Sequence, residues 1–161
     1  MNSYEEMLQL AYDEGFYVIE APLYSPVDGF CYGNDLYINT RTLDTTIEKR
    51  CVLSEERWHG KKTVGDISDQ TKVENVKQER FARGCGYYEL LHPDKIVKAL
   101  LNYCTTLQDM CEYLYVTEEY FYEAIEYYKQ KYGLFYRCKD YTLYFEPLYV
   151  IGSSIMGDEN I

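Results

Sequence analysis

The residues with the most chemical content lie in the stretch Cys51-Val-Leu-Ser-Glu-Glu-Arg-Trp-His59. On a helix, Glu55 and His59 are four residues apart and share a face, while Glu56 lies one step round, about 100° away. Two metal-binding side chains one turn apart, with a carboxylate beside the open coordination position, is the arrangement that metal-assisted hydrolysis uses. Here a glutamate stands where the commoner form of that motif has its first histidine. A carboxylate oxygen is acceptable to Zn²⁺, but it is harder than imidazole and moves the preference toward Mn²⁺. Taken alone the pattern is a weak signal, because Glu pairs on solvated helix faces are common.

A motif of this kind needs two antiparallel helices to close a ligand set, and the surrounding chain supplies them. Thr45 or Thr46 can cap a helix in which Ile47, Cys51, Ser54 and Trp58 recur at near-helical intervals up to His59. Gly60 and Gly65 mark its exit, and residues 63–70 are polar and read as a loop. A second helix is expected from about Lys72 to Leu91, and it carries Glu79 as the candidate third ligand. Gly84 and Gly86 weaken that helix locally unless they serve close packing.

The remaining elements frame this pair. Residues 3–14 place Tyr4, Met7, Leu8, Ala11 and Tyr12 at helical spacing, with Gly15 as a stop. A short strand at 17–19 follows, then two β-like runs at 30–32 and 36–38 around Gly33-Asn34-Asp35, a plausible hairpin turn. Further helices are expected at 94–103, 106–113 and 118–132, the last two arranged like a helix-turn-helix. A hairpin at 134–138 and 141–145 closes the chain, with Lys139-Asp140 at its turn.

Several segments together resemble the ImmA/IrrE metallopeptidases, especially the short forms encoded by phages and mobile elements. They are Tyr4-Glu-Glu-Met-Leu, Lys49-Arg-Cys-Val-Leu-Ser-Glu-Glu, Thr63-Val-Gly-Asp-Ile-Ser-Asp-Gln and Lys77-Gln-Glu-Arg-Phe-Ala-Arg. Tyr113-Leu-Tyr-Val-Thr-Glu-Glu-Tyr and the terminal Tyr144-Phe-Glu-Pro-Leu-Tyr-Val continue the likeness in order. The resemblance implies an α+β fold: a zincin-like helical layer with a small antiparallel sheet, a helix-turn-helix-like pair and a C-terminal β-hairpin. On that plan residues 1–93 form the metallopeptidase-like core, 94–151 pack on it, and 152–161 are a flexible tail. It also implies that Glu55, His59 and Glu79 hold the metal, Zn or alternatively Mn, and that Glu56 is the general base. The implied substrate is a helix-turn-helix repressor whose cleavage derepresses the mobile element.

Two residues depart from the family pattern. Arg57 is expected beside the site, paired with Glu56 and depressing its basicity. Trp58 replaces a small residue where helices pack closely. These departures leave a second expectation open, a catalytically inactive relative that acts as a protein-binding antirepressor. His92, near the end of the second helix, is expected to help satisfy helix-terminal carbonyls.

Composition narrows the partners. With 16 basic and 27 acidic residues the net charge is −11, which disfavours direct nucleic-acid binding. The helix expected at 118–132 carries Glu118, Glu119, Glu123 and Glu126, the wrong sign for a DNA-reading element. No apolar run approaches the ~18 residues of a membrane span. Six cysteines with no CxxC, and no visible signal peptide, fit thiols in a reducing cytoplasm, which the resemblance implies is that of a bacterial host cell. The 20 tyrosines suit both cores and contact surfaces.

Overall fold

The computed structural model describes residues 3–152, which form six helices and two three-stranded sheets in an α+β arrangement. Helix α1 (Tyr4–Asp13) starts at a capping box in which Ser3 and Glu6 satisfy each other's backbone donors. It leads into β1 (Tyr17–Ala21), β2 (Gly29–Tyr32) and β3 (Asp35–Asn39). The hairpin turns at Gly33, whose φ of 60° suits a residue without Cβ. β3 is the middle strand, antiparallel to β2 but parallel to β1, so the sheet runs β1-β3-β2. The expected small antiparallel sheet is therefore mixed. The chain crosses from β1 to the far edge before returning down the centre, and Asn39 secures that crossing. Its buried side chain bonds the backbone of Leu23, Ser25, Val27 and Arg41.

Helix α2 (Thr46–Lys62) has a second capping box, Thr45 with Glu48, and runs through Gly60 rather than ending there. Gly60 is required inside the helix, because a Cβ there would lie 2.8 Å from the Phe16 ring and 2.9 Å from Cys31 Sγ. Helix α3 (Val73–Leu91) packs along α2. Contacts pair Glu55 with Arg83 and His59 with Glu79, so numbers rise on one helix as they fall on the other. The two helices are antiparallel. Gly84 and Gly86 are buried within α3. A Cβ on Gly84 would run into the Tyr127 ring, and one on Gly86 would sit 2.9 Å from the Tyr120 hydroxyl. These glycines serve close packing, and the helix continues through both.

Helix α4 (Pro93–Leu101) is capped by His92, whose Nδ1 accepts from the Asp94 amide at 3.1 Å. His92 thus acts as an acceptor at a helix start, opposite in sense to the expected donor to carbonyls. Helices α5 (Leu107–Leu114) and α6 (Glu118–Tyr132) form the helical pair, joined through Tyr115 in the left-handed region with φ 56°. The buried Arg50 of α2 donates to the carbonyls of Leu114 (3.3 Å) and Tyr115 (2.5 Å), tying the pair's turn to the central helix.

Strands β4 (Phe135–Cys138) and β5 (Tyr141–Phe145) make the expected hairpin, and β6 (Leu148–Gly152) adds a third strand. Gly152 lies at the end of β6, and the rest of the tail expected at 152–161 lies outside the described residues. One apolar cluster runs from Met7 and Leu36 through Leu53, Leu91 and Ile96 to Tyr128 and Leu143, joining both sheets to the helices. The tyrosines of the helical pair divide: Tyr120 and Tyr128 are buried, whereas Tyr113 and Tyr122 are exposed. No helix of the described residues is long and apolar enough to cross a membrane.

Candidate metal centre

The ligand set expected from the sequence comes together between α2 and α3. One ligand atom from each of Glu55, His59 and Glu79 lies within 4.8 Å of the other two, a group that can hold a metal ion. Tetrahedral Zn²⁺ with ~2.0–2.1 Å bonds sets its ligand atoms about 3.3 Å apart, within reach of small side-chain rotations. His59 Nε2 is buried and lies 3.0 Å from Glu79 Oε2, so the imidazole and the carboxylate already face one another across the two helices. An imidazole nitrogen and two carboxylates brought this close from facing helices make a donor set that Zn²⁺ or Mn²⁺ accepts. The residues present therefore fit a divalent cation.

The second nitrogen of the ring, Nδ1, is 3.4 Å from Glu56 Oε2. Burial works against charge on the imidazole, but Glu56 and Glu79 outweigh it and hold its pKa up to about 10. In return the His59 ring, working against burial and aided by Arg83, brings Glu79 down to about 2. Glu55 moves the other way: burial, with Glu56 and Glu79 nearby, raises it to about 7 despite the opposing pull of Arg83 and His59. A metal must displace the His59 proton and, near neutrality, part of one on Glu55.

Glu56 is held in place by a close approach of sheet to helix. Gly29 on β2 sits where a Cβ would lie 2.7 Å from the Tyr37 carbonyl oxygen, 2.8 Å from Val52 Cγ1 and 3.2 Å from Glu56 Cγ. Two clefts meet at the centre. One, of 560 Å³, lies toward α6 and includes Glu48, Glu55, Thr117 and Glu123 in its walls. The other, of 1040 Å³, lies toward residues 65–70 and includes Cys31, His59 and Glu79. Glu56 and Arg83 line both.

Arg57 does not reach the site. Its side chain is 0% exposed and points to the other side of α2, where it pairs with Glu14 at 2.5 Å and with Glu89. The expected pairing with Glu56 is thus replaced by an internal tie from α2 to α1 and α3. Trp58 also faces away from the ligand atoms, its Nε1 donating to Glu89 Oε2 at 3.2 Å while Lys61 stacks over its ring.

The basic residue at the site is Arg83, which was not singled out from the sequence. Its Nη2 is 3.0 Å from Glu55 Oε1, its Nε 2.5 Å from Glu79 Oε1, and its Nη1 3.5 Å from Glu123 Oε2. The Glu79-to-Arg83 spacing of four residues was a readable signal for that pair. The contacts with Glu55 and Glu123 depend on tertiary packing.

No protein-family model matches the chain, and neither the curated proteins nor the solved structures contain a significant match.

Proposed function

We propose that the chain is a metal-dependent endopeptidase that cleaves a helix-turn-helix repressor of a phage or mobile element. The observation that carries this reading is the convergence of Glu55, His59 and Glu79 within 4.8 Å, with Glu56 beside them facing both clefts. A bound Zn²⁺ or Mn²⁺ would polarise the scissile carbonyl and lower the pKa of water toward ~7. Glu56 would take the proton from the attacking water and pass it to the leaving amine. The absence of a side chain at Gly29 lets the Glu56 side chain lie close to β2 at the edge of the sheet. The ordered motif resemblance to the ImmA/IrrE peptidases supplies the substrate class, and the acidic chain suits a basic DNA-binding protein through charge complementarity.

A second reading, a catalytically inactive antirepressor acting by contact, is favoured by one observation: Arg83 pairs with both ligand carboxylates. Two measurements separate the readings. Bound metal is determined by elemental mass spectrometry for wild type and His59→Ala, purified without chelators. Cleavage of the neighbouring repressor is then compared for wild type and Glu56→Gln. Near-stoichiometric metal lost in His59→Ala, and cleavage lost in Glu56→Gln with metal retained, support the peptidase. Repressor binding without metal or cleavage supports the antirepressor.

A further inference from the structure

We propose that Arg83 is a built-in competitor for the metal, holding the two carboxylates that would ligate the ion and moving to Glu123 when the ion takes them. This rests on the metal-centre reading above. The guanidinium uses a different nitrogen for each carboxylate: Nη2 for Glu55, Nε for Glu79 and Nη1 for Glu123. The contacts at 3.0 and 2.5 Å are with ligand residues, and the 3.5 Å contact is with a residue outside the ligand set. A divalent cation drawing on Glu55 and Glu79 would meet a positive charge already bonded to both. Like charges at that range repel strongly in a partly buried site.

The geometry also provides the alternative position. Glu123 is fixed on α6 by the Tyr87 hydroxyl, which donates to its Oε2 at 3.1 Å. The Arg83 side chain is 39% exposed, so its head can pivot toward Glu123 without unpacking the core. His59 does not need to move with it, since the Arg83 contact uses Glu79 Oε1 and the imidazole faces Oε2. Arg83 thus sets how much metal the site demands before it fills.

The test is a double-mutant cycle of R83Q and E123Q in the full-length protein, with Kd for Zn²⁺ and for Mn²⁺ measured by chelator competition. Melting curves in EDTA confirm that each variant folds. A charge-assisted contact corresponds to roughly ten- to a hundredfold in an equilibrium constant, so R83Q is expected to bind both ions at least tenfold more tightly. E123Q, which removes the alternative position, is expected to weaken binding severalfold when Arg83 is present and to change nothing when it is absent. Metal uptake by R83Q where wild type takes up none also supports the proposal. An R83Q Kd within twofold of wild type overturns it, as does a weaker one, which would make Arg83 an orienting support. An E123Q effect of equal size in both backgrounds overturns the role given to Glu123. If neither wild type nor R83Q takes up metal, the metal-centre reading itself fails; if both bind equally, only the competitor role fails.

Discussion

Replacing Arg57 by alanine removes the one cation shared by Glu14, at the end of α1, and Glu89 of α3. The guanidinium is fully buried, and the two carboxylates are 25% and 20% exposed. Deleting one partner of a buried ion pair costs about 3–5 kcal/mol, because the remaining charge is left poorly solvated. The lower end applies here. Glu14 keeps Lys61 at 2.7 Å, and Glu89 keeps the Ser54 hydroxyl at 2.9 Å and the Trp58 indole. For a domain of this size each kcal/mol moves Tm by roughly 2–4 °C, so a loss near 3 kcal/mol lowers Tm by about 6–12 °C. Differential scanning calorimetry at neutral pH measures it. Lys49→Met, which breaks the more exposed pair with Glu20, serves as the control and should cost less than about 1 kcal/mol. If Arg57→Ala melts within about 2 °C of wild type, the three-helix tie does not carry the stability assigned to it.

Two further outcomes follow from the site. Metal affinity should rise with pH: log K climbs with a slope near one between about pH 7 and 10 as the His59 proton is displaced. The slope approaches two below about pH 7, where Glu55 must also lose a proton, and chelator competition across that range measures both. Gly29→Ala should destabilise the fold by about 1–3 kcal/mol, since its Cβ meets a backbone carbonyl that cannot rotate away. It should also weaken metal binding or cleavage by displacing Glu56, read as a change in Kd or kcat beside the melting curve.

Much of this arrangement is legible in the sequence. The cap at Thr45 or Thr46 was a local signal, and the structure selects Thr45 with Glu48 as its partner within one turn. The ExxH spacing placed Glu55 and His59 on one face for the same reason, and the long second helix brought Glu79 opposite them. What the sequence hid was direction around the helix axis relative to neighbours. Arg57 and Glu56 are adjacent in the chain, yet one reaches the clefts and the other a buried tie to α1, and only packing decides which. The parallel pairing of β1 with β3 was hidden likewise, since alternation does not report strand order. β6 was not expected from the sequence; Pro147 sits in the turn before that strand.

The side chain that looked most out of place in the motif gives the molecule an optical readout. Trp58 is the sole tryptophan, one residue before His59, with its indole nitrogen on Glu89 and a lysine over its ring. Its fluorescence, excited selectively beyond the tyrosine band, therefore comes from a single known place on the site helix. Disturbance of the α2–α3 contact alters emission from that one fluorophore, with no label introduced beside the chemistry.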